Sequence, residues 1–180
     1  MPYNYYFKKN GRRPYRRRNA RPIRALRSEP ESKYFNNVVT HSATTDSTTI
    51  LTGMAAGTGV QERVGRKIKT LSAMVNLDVD ASLIARCILY VPKQADQELV
   101  LTSFYLPVDN DQFWVLKDWY QSNNQNNNPQ IVTHKFPMGL NCEYDGTGAT
   151  ALAKNPVKLL IRTSATGTVQ GHTKVWYKDN

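Results

Sequence analysis

Cysteine is scarce in this sequence, with only Cys87 and Cys142 among 180 residues. A disulfide framework or a zinc knuckle needs more cysteines than this, so both are excluded. Two free thiols are typical of a protein from a reducing compartment, and a single disulfide between the two cysteines is the alternative.

Long apolar runs are also absent. No run of about 18 or more apolar residues occurs, so the sequence predicts neither a transmembrane helix nor a membrane partner. The N-terminus lacks the apolar segment of a secretory signal. An Arg-rich start without acids also fits a mitochondrial presequence, but Pro14 and Pro22 would break the helix that such a presequence needs.

The first 28 residues contain no aspartate or glutamate, yet they hold ten of the 24 lysines and arginines. The other 14 basic residues are balanced by the 14 acidic residues, so this segment accounts for the whole net charge of +10. Like charges at this density repel, and prolines interrupt any regular element. We therefore predict a disordered basic arm over residues 1–32 and one domain over residues 33–180.

The arm has the composition of a nucleic-acid-binding segment. Guanidinium groups bind phosphates at two points, and a tyrosine among them offers a ring on which an unpaired base can stack. Single-stranded nucleic acid, bound without sequence readout, is therefore the predicted partner. Nuclear import is a compatible second use, and membrane-surface binding would require an amphipathic helix that is missing. The predicted binding residues are Lys8, Lys9, Arg12, Arg13, Tyr15, Arg16, Arg17, Arg18, Arg21, Arg24 and Arg27.

Helical periodicity is almost absent after the arm, where Val, Thr, Ile, Tyr and Leu predominate, so an all-β fold is predicted. No connection is long enough for a crossover helix, which argues against a parallel sheet. Connections of mixed length favour a single eight-stranded antiparallel jelly roll, a sandwich of two sheets, over an even meander. One short helix is expected over 95–104, because Asp96 and Glu98 suit a first helical turn.

The clearest strand pattern covers residues 67–80. Its inward face is predicted as Leu71, Ala73, Val75, Leu77 and Val79, and its outward face includes Thr70. A strand over 82–93 follows through a tight hairpin at Asp80-Ala81. Four glycines make 48–65 mostly loop. Further strands are predicted over 33–45, 111–121, 131–142, 157–163 and 173–178. Pro137 predicts an edge or a bend in the strand over 131–142. The last two strands are joined by a predicted hairpin loop that holds Gly167 and Gly171.

No catalytic or metal site is predicted, so the protein is not expected to be an enzyme or to need a cofactor. His41, His134 and His172 have no ligand or catalytic partner at a suitable spacing. Gly53, Gly57 and Gly59 indicate a flexible loop, because no Gly-Lys-Ser/Thr follows. Asp78, Asp80, Asp109 and Asp111 are predicted turn residues, with structural calcium as an alternative. Trp114, Trp119 and Trp176 are predicted core or interface anchors.

Two short motifs resemble those of a known family. Gln61-Glu62-Arg63-Val64-Gly65-Arg66-Lys67-Ile68 resembles a Q-x-R-x-G-x-x-I segment that opens the second strand in small jelly-roll capsid proteins. Phe113-Trp114-Val115-Leu116-Lys117-Asp118 resembles the F-x-x-L-x-D strand that follows it. These capsid proteins belong to satellite tobacco necrosis virus and to small circular Rep-encoding single-stranded DNA viruses. The motif residues are Gln61, Arg63, Gly65, Ile68, Phe113, Leu116 and Asp118.

The resemblance implies that roughly 60 copies form the smallest (T=1) icosahedral shell, with the arms pointing inward onto the genome. Arg63 and Gly65 would shape the start of the strand near Lys67, and Asp118 would end a strand by pairing with a neighbouring loop or subunit. The arm, with its tyrosines and prolines, resembles that of the single-stranded DNA virus members more than that of the satellite virus, and this resemblance implies DNA rather than RNA. A virion location follows, with the host nucleus and its import receptors involved before assembly.

A second reading is a non-viral β-barrel module, of ribosomal or single-strand-binding type, with a basic tail. The neutral body favours the capsid, because a monomeric binder is expected to carry basic groups on its folded surface as well.

Overall fold

The computed structural model describes residues 32–59, 61–81, 83–123, 132–146 and 150–180. All eleven residues predicted to bind nucleic acid lie outside these ranges, so that prediction stays a prediction. The described residues form ten strands and no helix. The strands are β1 (Lys33–His41), β2 (Ser47–Ile50), β3 (Lys67–Val79), β4 (Ile84–Pro92), β5 (Phe113–Ser122), β6 (Val132–Pro137), β7 (Asn141–Tyr144), β8 (Leu152–Lys154), β9 (Lys158–Thr163) and β10 (Val169–Asp179).

The strands make two antiparallel sheets, which we call sheet A and sheet B. Sheet A has six strands in the order β1-β10-β3-β7-β8, with β6 also paired to β3, and sheet B has the order β2-β9-β4-β5. Val75 and Leu77 of sheet A and Leu89 and Ile161 of sheet B belong to one buried cluster. The predicted all-β sandwich of two antiparallel sheets is therefore confirmed.

The chain crosses between the sheets where the sequence predicted hairpins. β3 pairs with β10, β6 and β7 in sheet A, whereas β4 pairs with β5 and β9 in sheet B. The predicted hairpin at Asp80-Ala81 is therefore wrong, and so is the one between β9 and β10. Alternation reveals which face of a strand is buried, but two strands that face each other across a core have the same pattern as two that pair.

A β-bulge at Leu71 reverses the alternation of β3. Thr70 and Ser72 both have partners on β10, while Leu71 between them has none. The extra residue puts Thr70 on the buried side together with Ile68. The predictions that Leu71 points inward and Thr70 outward are thus wrong. The predicted inward residues within 73–79 are buried as expected.

The predicted strand over 131–142 consists of β6 and β7, which both pair with β3 and are separated by Met138–Leu140. Of the predicted edge or bend at Pro137, the edge is confirmed, since β6 ends at Pro137 and pairs with β3 alone among the described strands. Strands β2 and β8 have four and three residues, too few for a recognisable alternation, and the sequence did not predict them.

Residues 93–112 join β4 to β5 and lie across the outer face of sheet B; we call them the strap. Leu99 and Leu101 of the strap are buried against Tyr90 in a second apolar cluster. This cover explains why β4 is buried on both faces. The helix predicted over 95–104 is wrong, because an apolar spacing of two places both leucines on one side of an extended chain.

Candidate functional site

The outer face of sheet A concentrates lysines, and we call it the lysine face. Its lysines are Lys67, Lys69, Lys135, Lys154, Lys174 and Lys178. Neighbouring strand residues such as Ile68, Val175 and Tyr177 are fully buried in the sandwich, so the alternating positions point outward. Lys69 and Lys178 are cross-strand partners, and Lys135 lies opposite Met74, which in turn lies opposite Lys174.

Few acids accompany these lysines. Among the described strands of sheet A, only Asp78 and Glu143 point to the same side. Glu143 lies 3.7 Å from Lys67 Nζ, and Asp78 lies at the far end of β3, opposite Gln170. The lysine face is therefore positively charged, although the charges of residues 29–180 sum to zero.

Two aromatic rings lie among the lysines. Tyr34 of β1 and Trp176 of β10 are cross-strand partners, and both are half-buried. Lys174 Nζ lies 4.0 Å from the ring centroid of Tyr34 and 5.2 Å from that of Trp176. Lys135 Nζ lies 5.4 Å from the Trp176 ring. Ammonium groups and π faces thus share one surface, as cation–π pairs do.

A group of acids lies in the strap, on the opposite side of the molecule. The strap holds four carboxylates, on Asp96, Glu98, Asp109 and Asp111, and one basic residue, Lys93. Asp109 accepts a hydrogen bond from the Asp111 amide at 2.9 Å, which agrees with its predicted place in a turn. The body therefore has a basic side and an acidic side.

Cationic side chains of sheet B hold the strap, with Arg86 and Lys158 buried and Arg162 partly buried. Arg86 donates to the carbonyl oxygens of Phe104 and Leu106 at 2.8 and 2.7 Å. Lys158 and Arg162 donate to two further strap carbonyls at 2.9 and 2.6 Å. Because these groups satisfy the strap backbone from beneath, they are not presented to an external ligand, unlike the lysines of sheet A.

Arg63 and Gly65 lie at the start of β3, as the resemblance implies. The Arg63 guanidinium is fully buried, lies 3.7 Å from the ring centroid of Tyr144 and donates to the carbonyl oxygens of Gly65 and Gly146. Gly65 has a φ of +81°, a left-handed conformation that favours glycine. These contacts fix how the chain enters β3 at Lys67.

Asp118 does not end a strand. It lies inside β5 and pairs with Arg86 of the adjacent strand, so the end-of-strand role that the resemblance implied is wrong. Of the remaining motif residues, Ile68 and Phe113 are buried, Leu116 is exposed and Gln61 is exposed. These residues build the fold and do not converge on one surface.

The histidines and cysteines considered as candidate ligands or catalytic groups lie in environments typical of residues that build the fold. In the described part of the chain, no three His, Cys, Asp or Glu side chains come together as a metal site. Burial lowers the pKa of His41 and of His134, and the His134 ring lies 5.0 Å from that of Trp119. Both cysteines are free and buried, and burial raises the pKa of Cys142 to about 12.

Of the remaining residues, Asp80 and Glu62 accept backbone hydrogen bonds, from Thr168 at 2.6 Å and from Gly59 at 2.8 Å. Trp119 is buried in the core as predicted, whereas Trp114 is exposed and Trp176 lies on the lysine face. Within the described residues there is no helix that could cross a membrane.

Sequence reasoning missed the lysine face because net charge was counted over the whole body. Lys67 and Lys69 are two residues apart in one predicted strand, and Lys174 and Lys178 are four apart in another. Counting charge separately for each face of each strand would have found this signal.

No model of a known protein family matches the chain, and no curated protein matches it in sequence. Among solved structures, it is similar to a chain of Desmodium yellow mottle tymovirus, with 11% identity and a TM-score of 0.32, over 98% of this chain and 96% of that one. It is also similar to chains of infectious bursal disease virus, strains Gx and Gt, with 10% and 12% identity and TM-scores of 0.28 and 0.26. These matches cover 85% and 84% of this chain but 33% and 38% of those chains. Likenesses this weak establish no shared function.

Proposed function

We propose that this protein is a viral coat protein that assembles into a small closed shell and packages single-stranded nucleic acid through its basic arm. Counting β6 and β7 as one interrupted strand and setting aside the three-residue β8 leaves two four-stranded sheets. Their orders, β1-β10-β3-β6/β7 and β2-β9-β4-β5, with successive strands crossing between sheets, correspond to a jelly roll, an architecture common in viral capsids.

The opposed charges of the two sides carry the proposal. Residue 32, where the arm joins the body, directly precedes β1, an edge strand of the sheet that bears the lysine face. The acidic strap covers the opposite sheet. In a closed shell every subunit presents one side to the cargo and the other to solvent, and this molecule has one side suited to a polyanion.

A monomeric single-strand-binding module is the second candidate. The lysine face favours it, because such a module carries basic groups on its folded surface. The near-neutral body therefore no longer favours the capsid over a monomeric binder, because its total charge combines a basic face with an acidic strap. The jelly-roll topology, and the acidic strap on the side opposite the lysine face, still favour the shell.

Particle imaging separates the two candidates. Full-length protein should form uniform particles roughly 20 nm across, as expected for about 60 copies in cubic symmetry. A monodisperse monomer across salt and pH would contradict the shell. A matched variant with Arg12, Arg13, Arg16, Arg17 and Arg18 all changed to glutamine should form particles with less nucleic acid.

The kind of nucleic acid and the cellular location follow as finer parts of the proposal. The resemblance of the tyrosine- and proline-containing arm to those of single-stranded DNA virus proteins favours DNA over RNA, and import into the host nucleus before assembly fits the same basic residues. Nucleic acid extracted from purified particles should be destroyed by DNase and should resist RNase. The opposite sensitivity would assign an RNA genome.

A further inference from the structure

We infer that the lysine face is itself a binding site for single-stranded nucleic acid, separate from the arm, in which a base stacks on the Tyr34–Trp176 pair and flanking phosphates contact Lys135 and Lys174. This inference deepens the proposed function, since it takes its ligand class from it. It adds a site on the folded body, where the sequence placed none.

The rings suit an unpaired base. Tyr34 and Trp176 face the same side from directly paired strands, and the Lys174 ammonium group lies 4.0 and 5.2 Å from the centroids of the two rings, so both rings belong to one patch on the outer face of sheet A, which we call the platform. Both are half-buried and therefore held in place by the sheet while part of each ring is open to solvent. Stacking on such rings is tolerant of sequence, because every base has a π face.

The lysines flank the platform. Lys174, 4.0 Å from the Tyr34 ring, and Lys135, 5.4 Å from the Trp176 ring, stand beside the place that a base would occupy. Their stems are flexible, so each ammonium group can move from a ring to a phosphate. Glu143 and Asp78 lie nearer the two ends of the sheet, opposite Lys67 and Gln170, so the described strands place no carboxylate in the middle of the face.

The platform distinguishes a single strand from a duplex. Bases in a duplex are stacked on one another, so their faces are closed to Tyr34 and Trp176. The arm begins next to β1, so nucleic acid held by the arm would be at high local concentration near the platform.

Salt-dependent binding of a fluorescent oligothymidylate to the full-length protein tests the phosphate contacts. Lys135→Gln with Lys174→Gln should reduce the slope of log affinity against log salt by about 1.4, at about 0.7 for each lost phosphate contact. The control is Lys93→Gln with Lys117→Gln, which removes the same charge from exposed positions in the strap and β5 and should leave this slope nearly unchanged. Equal effects of the two double variants would overturn the site.

A second measurement tests stacking. Trp176→Leu should weaken binding of the oligothymidylate about tenfold and binding of a duplex of equal length much less. Ultraviolet crosslinking of wild-type protein, mapped by mass spectrometry, should label the peptides that contain Tyr34 or Trp176 as well as the arm. Crosslinks confined to the arm would contradict the inference even if Trp176→Leu were unstable.

The two proposals can fail separately. Shells that contain nucleic acid, but with lysine-face variants that bind as the wild type does, would leave the coat-protein function standing and remove the second site. A monomer that binds single strands through Tyr34 and Trp176 would do the reverse.

Discussion

The Arg86 guanidinium on β4 and the Asp118 carboxylate on β5 form a two-point ion pair, with Nε–Oδ1 at 3.2 Å and Nη2–Oδ2 at 2.6 Å. The Arg86 side chain is 2% exposed and that of Asp118 is 30% exposed. The hydrogen bonds to Asp118 raise the pKa of Arg86. Because Arg86 also binds the strap carbonyls, this pair connects the edge strand to the cover of sheet B.

Asp118→Asn should destabilise the fold by about 2 kcal/mol, since it leaves a buried guanidinium without its counter-charge while part of the site is still hydrated. Urea unfolding measures the loss. Asp109→Asn, in an exposed turn of the strap, is the control and should stay within about 0.5 kcal/mol of the wild type. Equal stabilities of both variants would mean that the ion pair contributes nothing.

Arg63→Ala should lower the free energy of unfolding by about 3–5 kcal/mol, because it empties a buried site beside Tyr144 and leaves the carbonyls of Gly65 and Gly146 without this donor. Gly65→Ala should lower it by only about 1–2 kcal/mol. A Cβ there would meet no atom, and only the left-handed backbone opposes it. Chemical denaturation of both variants checks the order, and a larger loss for Gly65→Ala would contradict it.

Gly171→Ala should prevent normal folding, because a Cβ on β10 would overlap the backbone carbonyl oxygen of Asn76 on β3. A rigid sheet backbone has no way to yield locally, so the central pairing of sheet A would separate. Soluble yield and thermal unfolding report the result. Gly139→Ala is the matched control, since a Cβ there meets no atom, and folded Gly171→Ala protein of wild-type stability would refute the prediction.

Stability should fall as the pH drops below about 6.5. Burial lowers the pKa of His41 in the folded state, and the Ala43 backbone and Asp46 oppose this only in part. The unfolded chain therefore binds a proton before the folded one does, so the free energy of unfolding decreases through this window and levels off below the folded pKa.

Urea unfolding at pH 7.5 and pH 5.5, for the wild type and for His41→Gln, measures this effect. The variant should lose less stability than the wild type between the two values. Its remaining decrease reports His134, whose pKa is lowered by burial and by Lys117. An identical decrease in both proteins would exclude His41 as the titrating group.

Local pattern was enough to predict the class of fold. The alternation of Ala73, Val75, Leu77 and Val79 identified a buried face, and Pro137 identified an edge strand. Pairing could not be predicted in this way, because β3 finds β10 rather than its neighbour β4 through the shape of the whole sandwich. The bulge at Leu71 is equally invisible, since it follows from how two distant strands fit together.

The candidate site was only half accessible from sequence. The dense run of arginines in the arm is visible directly in the sequence, whereas the lysine face is assembled from residues of β3, β6, β8 and β10. Trp176 and Tyr34 are more than a hundred positions apart in sequence, yet they are cross-strand partners on β10 and β1. Their meeting depends on the sheet order, which the sequence did not reveal.

The pairing of β1 with β10 has a consequence for how the protein is made. Synthesis produces the N-terminal arm and β1 first, yet β1 has no described partner other than β10, and β10 also lies between β1 and β3. Sheet A therefore cannot close until β10 has left the ribosome, and its non-local pairings make closure slow. A chain interrupted before β10 would have a basic arm but no sheet to anchor it. Such incomplete chains would fail to fold and therefore could not enter an assembly.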